Sequence, residues 1–311
     1  MKKLTVLLFS LFLLLSGCAA SAPASEGKLS VVTTIYPLAD WAEEVIGDED
    51  IEVTCLLQKG VDLHNYQPSA ADILKITNAD LFLYVGGVSD EWVEDVLVQS
   101  VKDDIRVLNL FSISEDRIRE EEIVEGMEAE AEHEEETEYD EHLWLSLRNA
   151  SYYTGRISEE LSALDPDHAA VYAKNAETYQ AKLLELDEAF VTLTDNAAQK
   201  VLLFGDRFPF RYLCEDYGLS YYAAFPGCSA ETEASFETVL FLSDKVRELA
   251  LPAVLTIDGS DQKIARTIVD TAGTGAKILT LNSLQNAGKE DGSYLQIMQK
   301  NYEVLQEALS R

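Results

Sequence analysis

Apolar positions along this chain alternate between two periods. Short β-branched and aliphatic runs at 29–35, 51–58, 81–85 and 105–110 read as strands, and the amphipathic stretches between them, 37–46, 68–79 and 91–101, read as helices. A second alternating set follows, with strands at 201–204, 219–224, 253–257 and 277–281 and helices at 207–217, 234–249, 261–271 and 293–309. Between the two sets lies the longest helical pattern, 166–196. There Tyr172, Ala176, Tyr179, Leu183, Leu186, Phe190 and Leu193 recur at spacings of 4, 3, 4, 3, 4 and 3, one continuous seam on one face. Asp165 suits the N-cap and Pro166 the first helical position. At 1.5 Å per residue such a helix is roughly 45 Å long, longer than the core of one small lobe. The pattern predicts an α/β protein with two lobes of parallel sheet flanked by helices, 29–165 and 197–311, joined by one long rigid linking helix. Ligands in such folds bind at the carboxyl ends of the strands, here in the cleft between the lobes.

Two segments depart from this alternation. Lys2 and Lys3 followed by an apolar run to Leu15 form a stretch too short to span a bilayer, and residues 1–17 read as a signal peptide. It ends in Leu15-Ser16-Gly17-Cys18, which has the form of a bacterial lipobox, so Cys18 is the expected lipidation site and 18–28 the tether; cleavage near Ala20 or Ala24 is the alternative. The second departure is 120–141, where thirteen positions are Glu or Asp. Charge at this density predicts a mobile loop. The whole chain of 311 residues carries a formal net charge of −32, which argues against nucleic acid as a partner and favours cations.

Candidate chemistry centres on histidine, of which there are only four. His64 lies in Gly60-Val-Asp-Leu-His-Asn-Tyr-Gln-Pro-Ser69 and His142 in Asp140-Glu-His-Leu-Trp-Leu145, just after the acidic run that carries His133. Imidazole is the commonest metal ligand, and the placement of His64 and His142 points to that use. His133 reads as an auxiliary loop histidine, and His168 as a surface group in the first turn of the long helix. Three cysteines follow Cys18. Cys214 and Cys228 could pair, but packed thiols account for them equally well, and Cys228, although a possible soft ligand, is read as packed.

Taken together these motifs resemble the zinc/manganese solute-binding lipoproteins of ABC transporters, the TroA-like or ZnuA-like family, over nearly all of the chain after the signal segment. The resemblance rests on Val31-Val-Thr-Thr-Ile-Tyr-Pro37, on the two histidine motifs in this order, on the acidic segment before His142, and on Asp291-Gly-Ser-Tyr-Leu-Gln-Ile-Met298. It implies a monomeric, non-enzymatic binding protein. Such a protein is lipid-anchored to the bacterial membrane, faces the exterior or periplasm, and passes Zn2+ or Mn2+ to the ABC permease of the same importer without an organic cofactor. It also implies one ligand from each of four segments. The first two are His64 and His142; the third position falls on Arg207 and the fourth on Asn282.

Arginine cannot coordinate an ion, because its guanidinium stays protonated. At ~4 Å and an effective dielectric near 20 it would meet a unit charge with roughly 4 kcal/mol and a dication with twice that. Three arrangements avoid the clash. Asp206 could supply the third ligand while Asp258 or Glu233 pairs Arg207. His64 and His142 could bind alone with Asn282, water or a loop carboxylate. Or the pocket could take an anion or a metal complex with Arg207 as clamp, the alternative being a surface adhesin or lipoprotein with an altered site. A metallohydrolase is disfavoured, since no His-Glu-x-x-His spacing occurs.

Overall fold

The computed structural model describes residues 28–98, 105–128, 139–229 and 233–310. The expected signal segment, Cys18 and His133 lie outside these residues.

In the first lobe β1 (Ser30–Thr33), α1 (Tyr36–Ile46), β2 (Glu52–Cys55), α2 (Ala70–Asn78), β3 (Leu81–Tyr84), α3 (Trp92–Val98), β4 (Arg106–Asn109) and α4 (Leu110–Ser114) follow in order. Then come α5 (Leu147–Leu164) and α6 (Ala169–Asn196). The second lobe holds β5 (Val201–Phe208), α7 (Arg211–Asp216), β6 (Ser220–Pro226), α8 (Phe236–Glu248), β7 (Ala253–Ile257), α9 (Lys263–Ala272), β8 (Lys277–Leu281) and α10 (Tyr294–Ala308). Each lobe has one four-stranded sheet, ordered β2-β1-β3-β4 and β6-β5-β7-β8, and every pairing is parallel. A parallel sheet covered on both faces has no polar side, and so β3 (Leu-Phe-Leu-Tyr) is buried at every position.

The linking helix α6 has 28 residues, about 42 Å by its rise per residue. It packs on α1 and α5 of the first lobe and on α10 of the second. Its predicted seam is buried from Tyr172 to Phe190, with Leu193 half-buried. The first turn differs from expectation: Pro166–His168 is a 3-10 turn, and the Asp165 carboxylate accepts from Tyr172 Oη and pairs with His168 Nδ1, both at 2.7 Å, instead of capping the backbone. No helix among the described residues is long and apolar enough to cross a membrane.

One apolar core runs from the first sheet through α6 into the second lobe. At its centre α1 buries nine of its eleven residues, Asp40 among them. Trp41 stacks on Tyr153 of α5 and meets the edge of Tyr294 of α10, with centroids 5.9 and 5.1 Å apart. Trp144 donates to Ser283 O at 2.8 Å, and Tyr294 Oη donates to Trp144 O at 2.7 Å, so buried polar groups stitch the two lobes together. A core shared in this way makes large lobe motion costly.

Two elements depart from the sequence pattern. β5 extends to Phe208 with a register shift between Phe204 and Arg207, so Arg207 stands on a strand, not at the start of a helix. The acidic segment 120–141 is anchored wherever it is described. Glu120 bridges Tyr139, Glu122 takes Arg211 and Tyr221, and Glu128 N bonds Ala224 O at 3.0 Å. Cations and hydroxyls of the second lobe supply partners that charge counting along the chain did not reveal.

Candidate metal centre

His64 and His142 are each held by an aspartate two residues earlier. Asp62 caps the 3-10 turn Leu63–Asn65, its Oδ1 accepting His64 N at 3.0 Å, and Asp140 Oδ1 accepts His142 N at 2.8 Å. The same Asp140 oxygen lies 2.9 Å from His142 Nδ1. A carboxylate accepts only, so that ring nitrogen carries the proton and Nε2 keeps its lone pair. His64 Nδ1 lies 2.8 Å from Ser89 Oγ, whose own proton goes to Glu141, so His64 likewise keeps its Nε2 lone pair. Glu141 also accepts Ser89 N at 2.8 Å.

These outer partners aim two lone pairs at each other across 3.3 Å. Gln285, 3% exposed, donates into the gap, with Nε2 2.5 Å from His142 Nε2 and 3.0 Å from His64 Nε2. Burial first, and the neighbouring His142 second, push His64 down from 6.5 to about 3, so it stays neutral at pH 7. Neutral imidazole is the form that binds metal. The third participant is Cys228: among the described residues, one ligand atom each from His64, His142 and Cys228 lie within 4.8 Å of one another. Burial, and then the Asp140, Glu121 and Glu141 charges, raise its thiol well above the ordinary value. Cys55, Cys214 and Cys228 are all free, so Cys214 and Cys228 form no disulfide, and Cys214 is buried at 1% exposure.

The remaining residues expected at the site are placed differently. Arg207 turns away from the imidazoles. Its Nη2 binds Asp62 Oδ2 at 2.9 Å and its Nη1 reaches Ser229 O at 3.3 Å, so its partner is Asp62 and neither Asp258 nor Glu233. Burial raises the Asp62 carboxyl, but the Arg207 hydrogen bond and charge outweigh it and hold it below the ordinary value. Asp206 is not brought to the pair. Its Oδ1 accepts Arg207 N at 2.9 Å. Asn282 Oδ1 is occupied by Leu284 N at 2.8 Å, and Asp258 Oδ1 by Ser283 N and Oγ at 2.6 and 2.9 Å. Asp206, Asp258 and Asn282 instead line an interlobe cavity of about 630 Å³ that also includes Asp62 and Arg207 but neither histidine. Gln285 was missed by sequence reasoning. The repeated Asp-x-His was the available signal for the histidines, whereas nothing local marks Gln285.

Four of these groups lie in the segments after strand carboxyl ends, His64 after β2, Ser89 after β3, Cys228 after β6 and Gln285 after β8, while His142 precedes α5. The chain is 31% identical to the zinc-binding lipoprotein AdcA of Streptococcus pneumoniae over 316 residues, 99% of this chain but 61% of that protein, so it spans about three fifths of that relative's length. It is 29% identical to the high-affinity zinc uptake system protein ZnuA of Bacillus subtilis, covering 96% of this chain and 94% of that one. Among solved structures it resembles the Zn(II)-bound ZnuA-like domain of S. pneumoniae AdcA, with a TM-score of 0.73 at 29% identity, covering 92% of this chain and all of that one. The laminin-binding protein Lmb of Streptococcus agalactiae, described as bifunctional with adhesin and metal-transporting activity, gives a TM-score of 0.75 at 27% identity, covering 91% of this chain and all of that one. Residues 31–308 match the family described as zinc-uptake complex component A, periplasmic, and the chain belongs to that ZnuA family.

Proposed function

We propose that this protein captures a divalent transition metal, Zn2+ in preference to Mn2+, between its lobes and hands it unchanged to the ABC permease of an importer. One observation carries the reading: two imidazoles bring their Nε2 atoms 3.3 Å apart. Tetrahedral zinc with Zn–N bonds of 2.0–2.1 Å needs an N···N separation of about 3.3 Å, so the pair is already spaced for the ion. Imidazole donors favour zinc over harder ions. A half-turn of the Gln285 carboxamide would offer Oε1 in place of Nε2, a fourth donor in addition to water. In this reading the segment 1–17 is the signal peptide, Cys18 carries the lipid, and the lobes face the outside of the bacterial membrane.

Calorimetric titration of the purified protein tests it. One Zn2+ per chain is expected, with Mn2+ binding more weakly; absence of Zn2+ binding overturns the reading. The outer shell makes a second prediction. Asp140→Ala loses the acceptor that fixes the His142 tautomer, and a lost outer partner costs about 10- to 100-fold in affinity. The same titration should show that drop, with the folded state checked by near-ultraviolet circular dichroism.

A further inference from the structure

We propose that Cys228 is the third ligand of the ion, so that the cargo is a thiophilic divalent metal held by two imidazoles and one thiolate. This rests on the metal-binding reading of His64 and His142 and assigns the position that Arg207 leaves open.

The geometry begins with the loop after β6, which brings Cys228 to the pair. Its ligand atom and those of both histidines lie within 4.8 Å of one another. With Zn–S near 2.3 Å and Zn–N near 2.05 Å, a tetrahedral site needs N···S of about 3.6 Å. Closing that difference takes a shift of about 1 Å, within reach of a small turn of the cysteine side chain.

Both neighbours of Cys228 are tied to the histidines. A Cβ built on Gly227 would come within 2.9 Å of His142 Cε1 and equally close to Phe208 O, so only glycine lets this backbone lie against the ring. On the other side Ser229 O accepts Arg207 Nη1, and Arg207 holds Asp62, which caps the turn bearing His64. The thiol is therefore bracketed between one contact to each ligand. Arg207, neutralised by Asp62, braces the loop. Neither other described cysteine offers a ligand atom to the cluster.

Coordination balances simply. The metal–sulfur bond forms as the S–H bond breaks, and the proton leaves to water. The thiolate offsets one of the ion's two charges. A thiolate donor favours Zn2+ and Cd2+ and disfavours Mn2+.

Co2+ substitution reads the bond directly. The purified wild-type protein titrated with Co2+ should develop a sulfur-to-cobalt charge-transfer absorption in the near ultraviolet. Cys228→Ser should lose it, and should bind Zn2+ more weakly by over about 100-fold, beyond the loss expected for an outer partner. Cys214→Ser should keep both. The wild-type spectrum does not depend on any variant folding. Co2+ bound without that absorption, or an absorption that survives in Cys228→Ser, overturns the thiolate ligand and leaves the histidine reading intact. Failure of the wild type to bind Zn2+ and Co2+ at all overturns both.

Discussion

A protein in which His142 is replaced by alanine is expected to bind Zn2+ more weakly by over about 100-fold, since it loses a ligand and not merely the outer partner that sets it. His64→Ala should do the same, and the double variant should show no calorimetric binding. The expectation follows from convergence. Both Nε2 lone pairs point at one place, and removing either leaves an ion with one imidazole beside Cys228 and the weak carboxamide of Gln285, too few strong donors for tight binding. His168→Ala is the matched control, because His168 pairs with Asp165 and Glu49 on the outer surface, its side chain 45% exposed. A thermal readout separates lost binding from lost folding. A ligand that binds only the native state stabilises it by about 2.7 kcal/mol at 100 times its Kd. Excess Zn2+ should raise the melting temperature of wild type and of His168→Ala, and leave the histidine double variant unmoved. Equal Zn2+-induced shifts in all three would place the ion elsewhere.

The second large effect lies in the shared core, at Asp40. Its carboxyl, 6% exposed, accepts Tyr294 N at 3.1 Å and Tyr179 Oη at 3.3 Å on Oδ2. On the other side Tyr36 has one hydroxyl proton and two acceptors in reach, Asp40 Oδ1 at 3.1 Å and Gly292 O at 2.8 Å. When that proton goes to Gly292, Asp40 Oδ1 faces an oxygen lone pair unless it is itself protonated. Burial lifts Asp40 from 3.8 to about 6, with a smaller push from the Glu44 charge and against the hydrogen bonds from Tyr294, Tyr36 and Tyr179, which lower it. A carboxyl raised in the native state holds its proton there after the unfolded chain has released it. Its contribution to stability is therefore complete below about pH 4, declines as pH rises toward 6, and is gone above. Two pKa units correspond to about 3 kcal/mol. Asp40→Asn keeps an acceptor for Tyr294 and Tyr179 and places an amide donor against Tyr36. We expect its stability, measured by urea denaturation in chelator, to match wild type near pH 4 and exceed it by about 2–3 kcal/mol at pH 7. Parallel curves across that range would show that Asp40 does not titrate as described.

Asp40 and the histidine pair differ in how visible they are along the chain. The seam from Tyr172 to Phe190 announces α6 because helical periodicity is local, and the alternating apolar runs announce both sheets for the same reason. The histidines could be singled out because each motif carries its own aspartate two positions back, which sets the backbone turn without help from elsewhere. That a guanidinium has no lone pair to give an ion is legible at Arg207 from residue type alone. Its partner could not be read that way, since Asp62 lies 145 residues away.

The sequence by itself determined two parallel α/β lobes and a long helix between them, and it singled out His64 and His142 as candidates. Only the tertiary structure decided their company. Gln285 lies 221 positions from His64, and Cys228 sits in the other lobe; both arrive because the loops after β6 and β8 meet the first lobe, with Tyr294 bound to Trp144 across the same contact. Which loops meet in a cleft depends on how two rigid bodies pack. Packing is a sum over the whole core, so no window of the chain contains it.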